Sequence, residues 1–345
     1  MHSSPPHRSC KTSSSKTRNP NPPTTSSETI LFDTKSENDR KKIILNGTND
    51  LPEFPEFRKL EFEDKALLEA LFKEMQPQIS ELTFTNLYVW NEAEPVQLSQ
   101  HNKTALIQRR IRDGKNVLLP PLVKEPISTV EEDLRKAAVA SHFEIILYGI
   151  DSNAAGQLSA RYRVEPDRDN WDYVYLSSDL ADLPGDKYHS KRNFITRCLA
   201  EHKCEYANLD ASVVNDCLQL QTEWCNLRQC GSVPSLEAEN KAIKAIFEKY
   251  AELAVFGGAV YVDGQLEAFT LAEPLNSDTA VIHFEKANPQ ITGLYQLINQ
   301  WFCQNTLRAF TYVNREQDLG IPGLRKAKLS YHPHHMIEKY ISTIA

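Results

Sequence analysis

Residues 253–272 read LAVFGGAVYVDGQLEAFTLA. Two apolar runs, Val255 to Val262 and Gln265 to Ala272, flank Asp263-Gly264, and Asp-Gly between such runs is the strongest short-range signal for a β-hairpin. Upstream, a strand at Glu205 to Leu209 leads into a helix from Ser212 to Leu227. A second helix from Glu237 to Leu253 gathers Ala242, Ile243, Ile246, Phe247 and Tyr250 on one face. Downstream come a strand at Thr279 to Phe284, a helix at Gly293 to Cys303, a strand at Ala309 to Val313, a helix at Gly320 to Leu329 and a strand near Met336 to Ile341.

The order β-α-α-β-β-β-α-β-α-β is that of an N-acetyltransferase-like (GNAT) module. The preceding segment repeats the logic. Phe62, Leu67, Leu68, Leu71, Phe72 and Met75 recur at helical spacing, and Thr104 to Arg110 and Asn116 to Leu119 flank the turn Arg112-Asp113-Gly114-Lys115. Thr129 to Ser141 and Ser152 to Arg161 read as helices, Phe143 to Ile150 and the core Tyr173 to Tyr175 as strands. The fold class is α/β (α+β), two tandem GNAT-like modules with mixed sheets at 51–190 and 191–345. Residues 1–50, rich in Ser, Thr, Pro and Asn, are expected to be a disordered tail.

Composition removes whole classes of function. None of the 12 glycines forms G-x-G-x-x-G or a P-loop, and H-E-x-x-H and G-x-S-x-G are missing. The longest apolar stretch, Leu253 to Val262, is about half the length a membrane span needs, so no integral membrane insertion is expected. Seven cysteines without a C-x-x-C pair predict reduced, mostly buried thiols, no zinc and a cytoplasmic location. The first 50 residues carry +3 and the rest −10. A body that acidic does not coat DNA, and any polyanion must be met by a local basic pocket.

Four polar clusters interrupt the apolar pattern. Asp169-Asn170-Trp171-Asp172-Tyr173 reads as a capped turn. In Lys187-Tyr188-His189-Ser190-Lys191-Arg192-Asn193, Lys187 and Lys191 share a helix face, a repulsion tolerated if the face is solvated or an anion lies between them. Phe284-Glu285-Lys286-Ala287-Asn288 ends an apolar strand before Gln290 and Gly293, half of the loop that cradles pyrophosphate in acyl-CoA enzymes, but Leu294-Tyr295 replaces its second half. Asn314 to Tyr331 packs Arg315, Glu316, Asp318, Arg325 and Lys328 between a strand and a helix.

These runs together, over about residue 51 to the end, resemble the phosphatidylglycerol lysyltransferase C-terminal domain family, most closely its soluble bacterial branch. The resemblance implies transfer of an aminoacyl group from aminoacyl-tRNA to a hydroxyl or amine. The acceptor is left open among a lipid headgroup, a peptide and a small molecule. An aminoacyl ester is already activated, so no metal, cofactor or covalent nucleophile is expected; the reaction needs a base, donors for the developing oxyanion and cations for the phosphates of the tRNA acceptor end. Glu285 is the leading base candidate, with Glu316 and Asp318 in reserve. Lys187, Lys191, Arg192, Asn288, Asn314, Arg315, Arg325 and Lys328 are the binding candidates, and the six cations among them are expected around one anionic site between the two modules. The alternatives are an acyl-CoA-dependent N-acyltransferase and a non-catalytic binder of an anionic ligand.

Overall fold

The computed structural model describes residues 36–345 apart from Glu125. Helix α1 (Glu37–Asn49) precedes β1 (Arg58–Lys59), helices α2 (Lys65–Met75) and α3 (Phe84–Val89) follow it, and the hairpin β2 (Val96–His101), β3 (Thr104–Arg110) continues into β4 (Asn116–Leu118). Then follow α4 (Ser128–Ala140), β5 (Ile146–Ile150), α5 (Ser152–Leu158), β6 (Val164–Pro166), β7 (Asp172–Leu176), α6 (Ser177–Asp182) and α7 (His189–Glu201). The remainder is β8 (Cys204–Leu209), α8 (Val214–Arg228), α9 (Pro234–Glu248), β9 (Phe256–Val262), β10 (Gln265–Pro274), β11 (Thr279–Ala287), α10 (Leu294–Asn305), β12 (Tyr312–Asn314), α11 (Pro322–Leu329), β13 (His335–Ile337) and β14 (Tyr340–Thr343).

Two seven-stranded sheets result, in the orders β1-β2-β3-β4-β5-β14-β6 and β13-β7-β12-β11-β10-β9-β8. Each has one parallel pair, β4 with β5 and β11 with β12, and is otherwise antiparallel. The sheets match strand for strand, with β14 beside β5 as β7 lies beside β12. Here the chain departs from a boundary at 190/191: β7 belongs to the second sheet and β14, the last strand, to the first. The alternating apolar pattern marks a strand and its buried face, but it carries no record of which sheet supplies the partner.

Lys339 lies where the chain crosses from β13 back to β14, with no solvent exposure. Its ammonium donates to Glu81 at 2.6 and 2.8 Å and to Asp172, the first residue of β7, at 2.7 Å. Asp172 also accepts from the Ser80 amide and from Asn314. Burial alone would strip the Lys339 proton; Asp172 and then Glu81 hold it charged. Above this polar knot a continuous core runs from Leu68 and Leu98 to Ile243, Phe269 and Phe284.

Two expectations are corrected. The tail reading holds no longer for residues 37–49, which form α1: Ile44 packs on the core, and Gly47 lies so close to α2 that a Cβ there would stand 2.9 Å from Leu67 Cδ1. The apolar residues of this stretch are few, yet one helical face needs few when a ready surface receives it. Residues 1–35 of the expected tail lie outside the described residues. A truncation starting at Leu51 should therefore lose about 1–3 kcal/mol, the scale of one buried aliphatic side chain, read as a lower Tm; an unchanged Tm would show α1 to be dispensable. Secondly, not all thiols are reduced. Cys225 and Cys230 form a disulfide with a Cα–Cα distance of 5.0 Å. Gln229, left-handed at φ +54°, ends α8 and folds the chain back so that residues five apart meet. Cys198, Cys204, Cys217 and Cys303 are free.

Candidate functional site

β11 and β12 pair only from Thr279↔Tyr312 to Val281↔Asn314. Beyond that point β11 continues along β10 as far as Ala287, while the chain after Asn314 turns away, so the sheet splays open. Two ion pairs bridge the gap: His283 Nδ1 to Glu316 at 2.9 Å and Glu285 to Arg315 at 3.1 Å. The bulge in β11 explains the first, because the register skips from Ile282↔Ala272 to Phe284↔Leu271 and leaves His283 as the extra residue. Glu316 meets it from a left-handed backbone, φ +56°, with its amide donating to Asn314 Oδ1.

His283 is buried between two carboxylates. Its Nε2 lies 2.8 Å from Glu273, whose other oxygen accepts from Thr85, and Asn86 donates to Glu316. Burial on its own would lower the imidazole pKa, but the hydrogen bonds to Glu273 and Glu316 overcome it and lift the value to about 10. His283 is therefore an imidazolium that clamps the splay. A group whose folded pKa is raised contributes stability that is complete below its unfolded value, about 6.5, and is lost as pH climbs through the folded value. Unfolding free energy should thus decline between about pH 6.5 and pH 10, and His283→Gln should remove that slope; a wild-type stability curve flat across this range would contradict the clamp.

Beside the second bridge, three cations converge. Arg315 lies 4.9 Å from the centre of the Tyr331 ring and Lys191 Nζ 4.1 Å from it. Lys191 donates to Ser330 Oγ at 2.7 Å, and Lys328 donates to the Arg315 carbonyl. Burial first, and then the neighbouring guanidinium, lower the pKa of Lys191 and push that of Lys328 down to about 8. Glu285 pairs with Arg315, with side-chain exposures of 12% for Glu285 and 15% for Arg315, while the charges of Glu316 and Asp172 act on Lys328. The second oxygen of Glu285 accepts from Asn299 at 3.0 Å. Lys286 points the other way, onto Glu239 and the Trp224 ring, as strand alternation requires.

The structure brings Lys191, Arg315 and Lys328 together and gives the other binding candidates their own partners. Lys187 pairs with Asp179, and Arg192 donates to the carbonyls of Leu183 and Gly185, closing the end of α6. Arg325 grips Asp318 through Nε and Nη2, both at 2.8 Å, and reaches Asp169. Asp318, fully buried, also accepts from Tyr173, Arg168 and the Gly320 amide. Burial opposes its charge, but Arg325 foremost and Tyr173 next hold its carboxyl well below the usual range. Asn314 ties Glu316 to Asp172.

Asn288 builds the loop before α10: its side chain accepts from the Gln290 amide and its carbonyl from the Ile291 amide, while the Leu294 amide turns back to Ile291. α7 backs onto this loop, for a Cβ at Gly293 would strike the Phe194 carbonyl oxygen. The backbone N–H groups of Gln290, Ile291 and Leu294 are thus spent inside the loop.

His283, Glu273, Asn299 and Tyr331 carry much of this geometry and were not among the sequence candidates. A lone histidine in an apolar strand looks like core, and Asn299 sits on the apolar face of a helix. The useful signal is that both are polar residues at positions whose periodicity assigns them to the interior.

Paired modules, each a mixed sheet with a single parallel pair, are the tandem GNAT-like arrangement, a fold shared by FemX at 8% identity and a TM-score of 0.53 over 83% of this chain and 96% of that one. Within that class the chain belongs to the phosphatidylglycerol lysyltransferase C-terminal family, whose model matches residues 72–343. A conserved protein of unknown function from Bacteroides thetaiotaomicron is 31% identical with a TM-score of 0.77, covering 84% of this chain and 99% of that one. L-PGS from Bacillus licheniformis has the same fold at 13% identity and a TM-score of 0.58, over 83% and 92% of the two chains. No protein of curated function matches in sequence. No helix among the described residues is long and apolar enough to cross a membrane.

Proposed function

We propose that this chain transfers an aminoacyl group from aminoacyl-tRNA to a hydroxyl or amine acceptor, in the cytoplasm. The observation that carries the reading is the convergence of Lys191, Arg315 and Lys328 on Tyr331 and its neighbours at the open end of the second sheet, with Glu285 opposite. Three neighbouring cations, one of them paired with Glu285, suit the phosphates of a tRNA acceptor end. Arg315 also places a fixed positive charge where a carbonyl oxygen would turn into an oxyanion. Glu285, with carboxylate lone pairs left beyond its two donors, takes the proton from the acceptor. As the bond from the carbonyl carbon to the acceptor forms, its bond to the ribose oxygen breaks, and that oxygen receives the proton. Glu316 and Asp318 position: one holds His283, the other Arg325. The closed loop before α10 speaks against an acyl-CoA donor.

The test is incubation of the purified chain with mixed labelled aminoacyl-tRNAs and a cell extract. Label should pass to an acceptor, and Lys191→Ala should weaken tRNA binding and reduce the slope of log K against log salt by roughly one. Binding of acyl-CoA but not of charged tRNA would sink the proposal, and binding of tRNA without transfer would leave a non-catalytic binder.

A further inference from the structure

We propose that Asn299 selects an aminoacyl group over a plain acyl group by accepting the donor's α-ammonium on its carboxamide oxygen. The inference rests on the transfer reading above and assigns a specificity residue to it. Asn299 projects from α10 with no exposed surface, and its Nδ2 donates to Glu285. An ionised carboxylate only accepts, so the amide must present its NH2 end to Glu285 and its oxygen elsewhere. That oxygen has no hydrogen-bond partner. On the other side of Glu285, Arg315 spends Nη2 on the carboxylate, and its Nη1 also lacks a partner. Glu285 therefore sits between an orphaned acceptor and an orphaned donor.

Buried polar groups are rarely left unpaired, and an exception at a functional site points to a ligand that completes it. The complement needed here is a ligand that carries both a donor and an acceptor. An aminoacyl ester carries both: its ammonium and its carbonyl oxygen are joined through the α-carbon and the carbonyl carbon. The carbonyl oxygen accepts from Arg315 Nη1, and the ammonium donates to Asn299 Oδ1. An unsubstituted acyl group satisfies the first contact and leaves the second empty, and a site built around a hydrogen bond discriminates against the ligand that lacks it. Asn299 moves no proton. It fixes the α-carbon, so that the carbonyl carbon faces the acceptor while the ribose ester bond breaks.

The probes are the amide analogues 3′-alanylamino- and 3′-lysylamino-3′-deoxyadenosine and their deamino counterparts, the 3′-propionylamino and 3′-(6-aminohexanoyl)amino compounds, titrated calorimetrically into the full chain. Loss of the α-ammonium should weaken wild-type binding roughly 10- to 150-fold, the loss of one hydrogen bond to a charged group. In Asn299→Leu that difference should largely vanish; Asn299→Ser provides the same comparison if the leucine variant does not fold. Equal wild-type affinity for the amino and deamino probes would overturn the role of Asn299 and leave the transfer reading standing. If neither amide analogue binds, the donor assignment itself falls, and this inference with it.

Discussion

Replacing Lys339 by Met should cost about 3–5 kcal/mol of unfolding free energy, the penalty for removing one partner of a buried ion pair. The ammonium is enclosed by Glu81 and Asp172, which are themselves buried at 2% and 0% exposure. Methionine matches the length of the lysine stem but leaves two carboxylates facing each other without a counter-charge. Burial, the foremost cause, and the nearness of Glu81 already raise the Asp172 pKa even with Lys339 present, so in the variant a proton must be taken up before the chain can close. Adding Glu81→Gln to Lys339→Met should return part of the loss, because one uncompensated charge is gone. Urea unfolding of the two variants measures both steps, and a loss below about 1 kcal/mol, typical of an exposed pair, would show the knot to be solvated.

Glu285→Gln should lower single-turnover transfer by roughly 10²- to 10⁴-fold, the usual contribution of a general base, with donor binding nearly intact. Glutamine preserves the shape against Asn299 and Arg315 and removes the charge. Since Arg315 then loses its paired carboxylate, affinity for phosphate should not fall. The split between rate and binding is what separates a base from a merely structural partner of Arg315, whose loss would disturb both. Activity equal to wild type would pass the role to Glu316 or Asp318, or show that the acceptor needs no protein base.

The second sheet was legible because its signals are local: Asp263-Gly264 joins β9 to β10, and one helix face collects Ile243, Ile246 and Phe247. The same locality hid the strand exchange, since nothing within five residues of Tyr173 or Ile341 records a partner far away in the chain. At the site, charge density in residues 314–331 drew notice to the right segment but could not say which cations were spoken for. Arg325 and Lys328 lie three apart on α11, yet Arg325 is consumed by Asp318 and Asp169 whereas Lys328 faces Arg315. His283 escaped because a bulge, invisible to a period of two, re-aims it.

The exchange of β7 and β14 also sets an order of events at the ribosome. β14 lies between β5 and β6, so the first sheet has a gap until residues 340–343 have been made. β6 has no other partner in its sheet, and Lys339 reaches Glu81 only when that same late segment arrives. Synthesis at about 5–20 residues per second leaves the first sheet waiting, with an open strand edge, until β14 has been made. A cut at 190/191 therefore takes a strand from each sheet, and a stop codon placed before residue 340 strikes the module that was translated first.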